Sequence, residues 1–136
     1  MIQPINMNIA LLKRHASTAT KADQQVVTDL VDTLKAHQDN CVGMAANMIG
    51  QSKRVIVYQL GPMQVPMINP VITSKRDAYQ TTEGCLSLPG QRKTTRYHHI
   101  TVRYQTSDWQ TKTASFTDFT AQIIQHEIDH CDGILI

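Results

Sequence analysis

One stretch restricts the fold more than any other. From Thr117 to Gly133 the chain reads TDFTAQIIQHEIDHCDG. At about 100° per residue, Phe119 and Ile123 fall on the same side of a helix as His126 and His130, while Ile124, Ile128 and Cys131 fall opposite. A helix that is apolar on both sides is buried. This one also carries two histidines, a glutamate and an aspartate, and buried polar groups need partners. Thr117 or Asp118 is expected to cap its start, and Gly133 suits its C-terminal stop.

His126, Glu127 and His130 form an H-E-x-x-H pattern. Residues four apart on a helix lie one above the other, so the two imidazoles can face one ion. Glu127 sits close enough to reach a water on that ion, which is the arrangement of a metal-assisted hydrolase. A metal would also supply the missing partners. The pattern is one ligand short, and Cys85 is the candidate. It lies in a segment bounded by Gly and Pro, outside any obvious core strand. A lone Cys is more often a small buried hydrophobe, but a thiolate with two imidazoles is a recognised three-ligand set that leaves a fourth position for water.

The chain has 136 residues, enough for one domain with one core, and residues 1–136 are read as a single metal-hydrolase domain. A net charge of +2 gives no reason to expect direct nucleic-acid binding. No apolar run approaches the ~20 residues that span a bilayer, and no secretory signal opens the chain. A cytoplasmic location is therefore expected. Cys41, Cys85 and Cys131 are an odd number, which argues for thiols rather than disulfides.

Residues 1–20 carry only a weak signal, for a short helix around Ile9 to His15. Val26, Val27, Leu30, Val31 and Leu34 repeat with helical period and predict a helix from about 22 to 38, with Asp23 accepting orphan N–H groups at its start. Ala45 and Ala46 allow close backbone approach, and Gly43 permits dihedrals or contacts that no other residue would. Arg54 to Leu60 reads as a buried strand and Gly61-Pro62 as a turn. Val65 to Ile68 returns, Asn69-Pro70 breaks it, and Val71 to Thr73 starts another extended segment. Ile100 to Tyr104 and Thr111 to Phe116 are strands around a turn at Ser107 to Gln110. His98 and His99 are adjacent in a strand and face opposite sides, so they cannot be cooperating ligands. Short strands with tight turns predict antiparallel pairing.

Three segments now stand in order: CVGMAANMIG at 41–50, EGCLSLPG at 83–90 and QHEIDHCDG at 125–133. Together they resemble the three signature motifs of the peptide deformylases. The resemblance implies an α+β fold of antiparallel sheets packed around the H-E-x-x-H helix. It implies one divalent ion held by Cys85, His126 and His130: ferrous iron in the cell, with zinc, nickel or cobalt able to substitute. Glu127 would be the base, and the Leu86 N–H an oxyanion donor. Val42, Gly43, Met48, Glu83, Phe119 and Ile123 would border the substrate, and Arg92 matches a basic residue near the entrance. The implied substrate is the N-formylmethionine of nascent peptides emerging from the ribosome.

Two departures stand out. Motif one in the family is G-φ-G-φ-A-A-x-Q, with φ apolar. This chain has Cys41 at the first Gly, which is expected to strain or reshape the loop, and Met48 at the Gln, which removes a side-chain oxyanion donor. Loss of one such donor typically costs about 10²–10³ in rate. The sequence also stops shortly after Gly133, where the family continues, so the docking of that segment and any ribosome contact it makes are expected to be absent. Two readings result: a deformylase of reduced activity, or a metal-binding homologue that binds formyl peptides or hydrolyses another small amide.

Overall fold

The computed structural model describes residues 1–135. The strands are β1 (Gly43–Ala45), β2 (Val55–Leu60), β3 (Met63–Cys85), β4 (Leu88–Gln105) and β5 (Thr111–Thr117). Among the described residues they form one five-stranded sheet in the order β1-β2-β3-β4-β5, antiparallel throughout. The helices are α1 (Ile9–Leu12), α2 (Gln24–Ala36) and α3 (Asp118–Cys131). The expected antiparallel α+β architecture is present, as a single sheet with a helix against each face.

Alternation along the strands builds those two faces. Ala45, Ile56, Tyr58, Met67, Ile100 and Val102 pack with Ile123, Ile124 and Ile128 of α3. Met44, Val55, Val57 and Ile68 point the other way and pack with Val27, Leu30 and Leu34 of α2. Neighbours in sequence, such as Ile56 and Val57, thus serve opposite cores.

The Asn69-Pro70 break is a bulge. The β3–β4 register shifts between Ile68 and Val71, but β3 continues. Asn69 takes a left-handed φ of 52°, which Asn tolerates better than most residues. Its side chain holds the bend by bonding Ala19 and Gln105. The start of α2 also differs from expectation. A 3-10 turn at Lys21–Asp23 precedes it, and the Asp23 carboxylate accepts from the Thr20 N–H at 2.9 Å instead of capping the helix. At the other end of the chain the expected stop is present. Gly133 has φ 73°, and the N–H groups of Gly133 and Ile134 bond the carbonyls of His130 and Asp129, which closes α3 in a Schellman motif. Thr117 occupies the N-cap position of α3 without a side-chain cap bond.

Candidate metal centre and active site

Cys85 is the last residue of β3, one turn before Leu88 opens β4. It is therefore set by a hairpin end rather than by a free loop. The hairpin brings its Sγ to 3.3 Å from His130 Nε2. One ligand atom each from Cys85, His126 and His130 lie within 4.8 Å of one another. Cys85 is half-buried, and the two histidines are buried. Two imidazole nitrogens and a thiolate suit a borderline-soft divalent ion. Cys131, by contrast, is packed in the apolar core behind α3.

Glu127 is buried, and its Oε1 has no hydrogen-bond partner. Burial raises its carboxyl to about 7, with His126 pulling the other way. Its space exists because residue 43 is glycine. A Cβ there would stand 2.7 Å from Ile123 Cγ2 and 2.9 Å from Glu127 Oε2. Close approach, rather than a special dihedral, explains this glycine.

Behind His126 lies a buried ionic network. Its Nδ1 meets Glu83 Oε1 at 2.8 Å. Arg96 donates to both oxygens of Glu83 and, at 2.6 Å, to Asp129, while Gln122 donates to Glu83 Oε2. Burial works against ionisation of Glu83, yet the bonds from His126, Arg96 and Gln122 hold its carboxyl down at about 2. Burial likewise opposes charge on His126, but Glu127 beside it and the bonds to Cys85 and Glu83 raise it to about 10. His130 has no carboxylate, and burial with the nearby His126 and Arg96 charges lowers it to about 3.

A cavity of about 330 Å³ opens beside this cluster. Val42, Gly43, Met48, Glu83, Leu86, Phe119 and Ile123 all border it, as do the catalytic candidates Cys85, His126 and Glu127. Phe119 is 61% exposed and stands at the rim, so this end of α3 is open to solvent. Glu83 and Arg92 stand apart from the other expected residues. Glu83 borders the cavity, but its carboxylate is fully engaged by His126, Arg96 and Gln122, so it supports a histidine rather than offering a free group to substrate. Arg92 lies outside the cavity wall, opposite Glu83 in the β3–β4 register.

The motif-one departures also take definite form. Cys41 has no left-handed φ, and its thiol donates to the Gly43 carbonyl at 3.0 Å. Met48 folds back on its own turn, where Sδ accepts the Ala45 N–H at 3.4 Å. Its neighbours do not replace the missing donor. The Asn47 amide is committed to the carbonyls of His130 and Leu12, and Gln51 is exposed.

Arg96 and Gln122 carried no functional signal in the sequence. Arg96 lies in an ordinary alternating strand, and only the β3–β4 pairing brings it to Glu83. Asp129 could have been placed, since it lies three residues after His126 and thus on a neighbouring part of the helix face.

Known proteins share this construction. The family model for polypeptide deformylase matches residues 4–136. A peptide deformylase of Clostridium beijerinckii is 52% identical over 136 residues, covering all of both chains. One from Heliobacterium modesticaldum is 34% identical, covering 96% of this chain and 88% of its own. The crystal structure of peptide deformylase from Thermotoga maritima superposes with a TM-score of 0.89 at 28% identity, covering 99% of this chain and 95% of that one. A Met-Ala-Ser-bound class I type b peptide deformylase from Acinetobacter baumannii gives 0.87 at 29% identity, covering 99% and 97%. Matched by the family model over residues 4–136 and by a 52% identical relative over its full length, the chain belongs to the peptide deformylase family.

Proposed function

We propose that Cys85, His126 and His130 hold one divalent ion and that Glu127 serves as general base in removal of the formyl group from N-terminal formylmethionine. The family is one of metal-dependent hydrolases acting on N-formylmethionyl peptides. The observation that carries the residue assignment is the convergence of the three ligand atoms beside a buried carboxylate with an unpartnered oxygen. A bound ion lowers the pKa of water and polarises the formyl carbonyl.

The chain's own groups do the rest. Glu127, raised by burial to about 7, can take a proton from the attacking water and return it to the leaving amine near neutral pH. Ile123 and Phe119, with Val42 and Gly43 across the cavity, offer an apolar surface for the methionine side chain. The Met-Ala-Ser peptide held by the Acinetobacter baumannii relative supports a methionine-led ligand. Leu86 N–H is the backbone donor for the developing oxyanion, and Met48 adds none. Glu83 holds His126 in orientation and does not touch substrate. Ferrous iron is our assignment for the cell, with zinc, nickel or cobalt as substitutes for the same donor set. Nascent chains at the ribosome, in the cytoplasm, are the proposed source of substrate. No helix among the described residues is long and apolar enough to cross a membrane.

Met48 favours a second reading, a metal-binding homologue without deformylase turnover. Iron-loaded protein prepared anaerobically and assayed on formyl-Met-Ala peptides separates the two. Turnover that disappears in Glu127→Gln while metal content persists supports the first. Cys85→Ala should lose most of its metal, and unchanged occupancy would refute the ligand set. A fully loaded wild type without turnover establishes the second reading.

A further inference from the structure

His126 and His130 share the proposed ion but not the same support. His126 Nδ1 has the Glu83 carboxylate at 2.8 Å, whereas His130 Nδ1 is buried and has no partner. A histidine that ligates through Nε2 carries its proton on Nδ1, and ligating histidines almost always give that N–H to an acceptor. A buried donor left unpaired loses its hydration without compensation.

A buried amide bonded to the backbone of the same residue belongs to Asn47. Asn47 is 3% exposed, and Nδ2 donates to the carbonyl of His130 itself at 2.9 Å and to Leu12 O at 3.3 Å. Its Oδ1 is buried and has no donor. The turn that carries Asn47 is fixed from outside. Asn6 donates through its backbone N–H to Met48 O at 2.6 Å and through Nδ2 to Asn47 O at 2.9 Å. A rigid amide bonded to His130 is thus one donor short, and the imidazole of the same residue is one acceptor short. Asn47 stands at the x of G-φ-G-φ-A-A-x-Q, a position the family pattern leaves free.

We propose that Asn47 is the positioning residue of His130: it anchors the last turn of α3 through the His130 carbonyl, and a rotation of the imidazole or the amide lets Oδ1 accept the Nδ1–H, a bond that is not formed in this structure. It does for His130, as a neutral group, what Glu83 does for His126 as an anion. The inference rests on the reading of Cys85, His126 and His130 as ligands.

Cobalt(II) binding tests it without any turnover assay. Asn47→Ala should weaken cobalt affinity about 10- to 100-fold and shift the visible d–d bands. In zinc-loaded protein, long-range proton–nitrogen NMR should show a slowly exchanging His130 Nδ1–H in the wild type that is lost in Asn47→Ala. Asn47→Asp keeps an acceptor but turns a second oxygen toward two carbonyls. Thermal stability should therefore rank wild type, Ala, Asp, whereas cobalt affinity should rank wild type, Asp, Ala. Asn6→Ala loosens the same turn without touching His130 and should leave affinity within about twofold of wild type, the window set by the 10-fold lower bound. If Asn47→Ala lowers stability alone, with cobalt affinity and bands unchanged, Asn47 is structural and the proposal is wrong. If Asp fails to fold, the comparison of Asn47→Ala with Asn6→Ala still decides. Retained metal in Cys85→Ala would instead overturn the ligand reading beneath it.

Discussion

Helices α2 and α3 lie against opposite faces of one sheet and are nearly equal in length, yet they bury different chemistry. α2 buries Val27, Leu30 and Leu34, and its buried polar residue, Thr33, is satisfied locally by Asp29 O at 2.7 Å and the Gln3 N–H at 2.9 Å. α3 buries Gln125, His126, Glu127 and His130 among its isoleucines. Apolar side chains need only a surface to cover them. Buried ionisable groups need specific partners, and α3 draws these from β3, β4 and the turn after β1. One face is therefore a packing face, and the other exists only if distant segments arrive in register.

The largest effect should come from the charge that holds the second face together. Arg96→Met leaves the buried Glu83 and the half-buried Asp129 without their cation. Breaking a buried pair from one side costs about 3–5 kcal/mol. Denaturant unfolding of the metal-free protein should show that loss, and metal content should fall with it. A stability loss below about 1 kcal/mol would place the network among the weak surface pairs and remove the contrast between the two faces.

Leu30→Ala probes the packing face. Leu30 is fully buried, and such truncations cost about 2–5 kcal/mol. Here metal affinity per folded molecule should be unchanged. A parallel fall in affinity would mean that the two faces are coupled through the sheet. Gly43→Ala acts on the site itself. The added methyl meets Ile123 and Glu127 below 3.0 Å, and displacement of a catalytic group by about 1 Å costs ~10²-fold in kcat/KM. Metal content should stay near wild type. Undiminished activity would show that Glu127 can give way without loss.

A pH series separates the faces through Glu83. Its folded carboxyl titrates at about 2, below the usual carboxylate range of about 4.5. The stabilisation is present above that range and is lost as pH falls from about 4.5 through 2. In the metal-free protein, Glu83→Gln should lower stability at neutral pH and flatten the acid limb. An unchanged limb would assign acid sensitivity elsewhere. The smallest expected effect is a gain. In Met48→Gln the new Oε1 can take over the Ala45 N–H and leave Nε2 free to donate. A rise of about 10-fold in kcat/KM on formyl-methionyl peptides corresponds to ~1.4 kcal/mol of transition-state binding. No gain, with metal bound, would mean that the turn does not aim this side chain at the oxyanion.

The sequence determined whatever depends on neighbours along the chain. Helical period made α3 buried and paired His126 with His130, because residues four apart on a helix meet whatever surrounds them. Gly133 ended it, because the stop needs a left-handed residue there. The strands of β2 and β5 were legible for the same local reason. Tertiary structure decided what depends on pairing between segments. Asn69-Pro70 reads as a break, but β4 alongside turns it into a bulge. The resemblance sets Glu83 beside the substrate, but only the β3–β4 pairing shows its carboxylate bonded to Arg96 and His126. Asn47 and Met48 are adjacent in sequence. The turn sends one amide to the end of α3 and one thioether back to Ala45. Side-chain chemistry fixes what each residue can bond. Which partner comes within reach is set by contacts across tens of residues, and no local pattern encodes those.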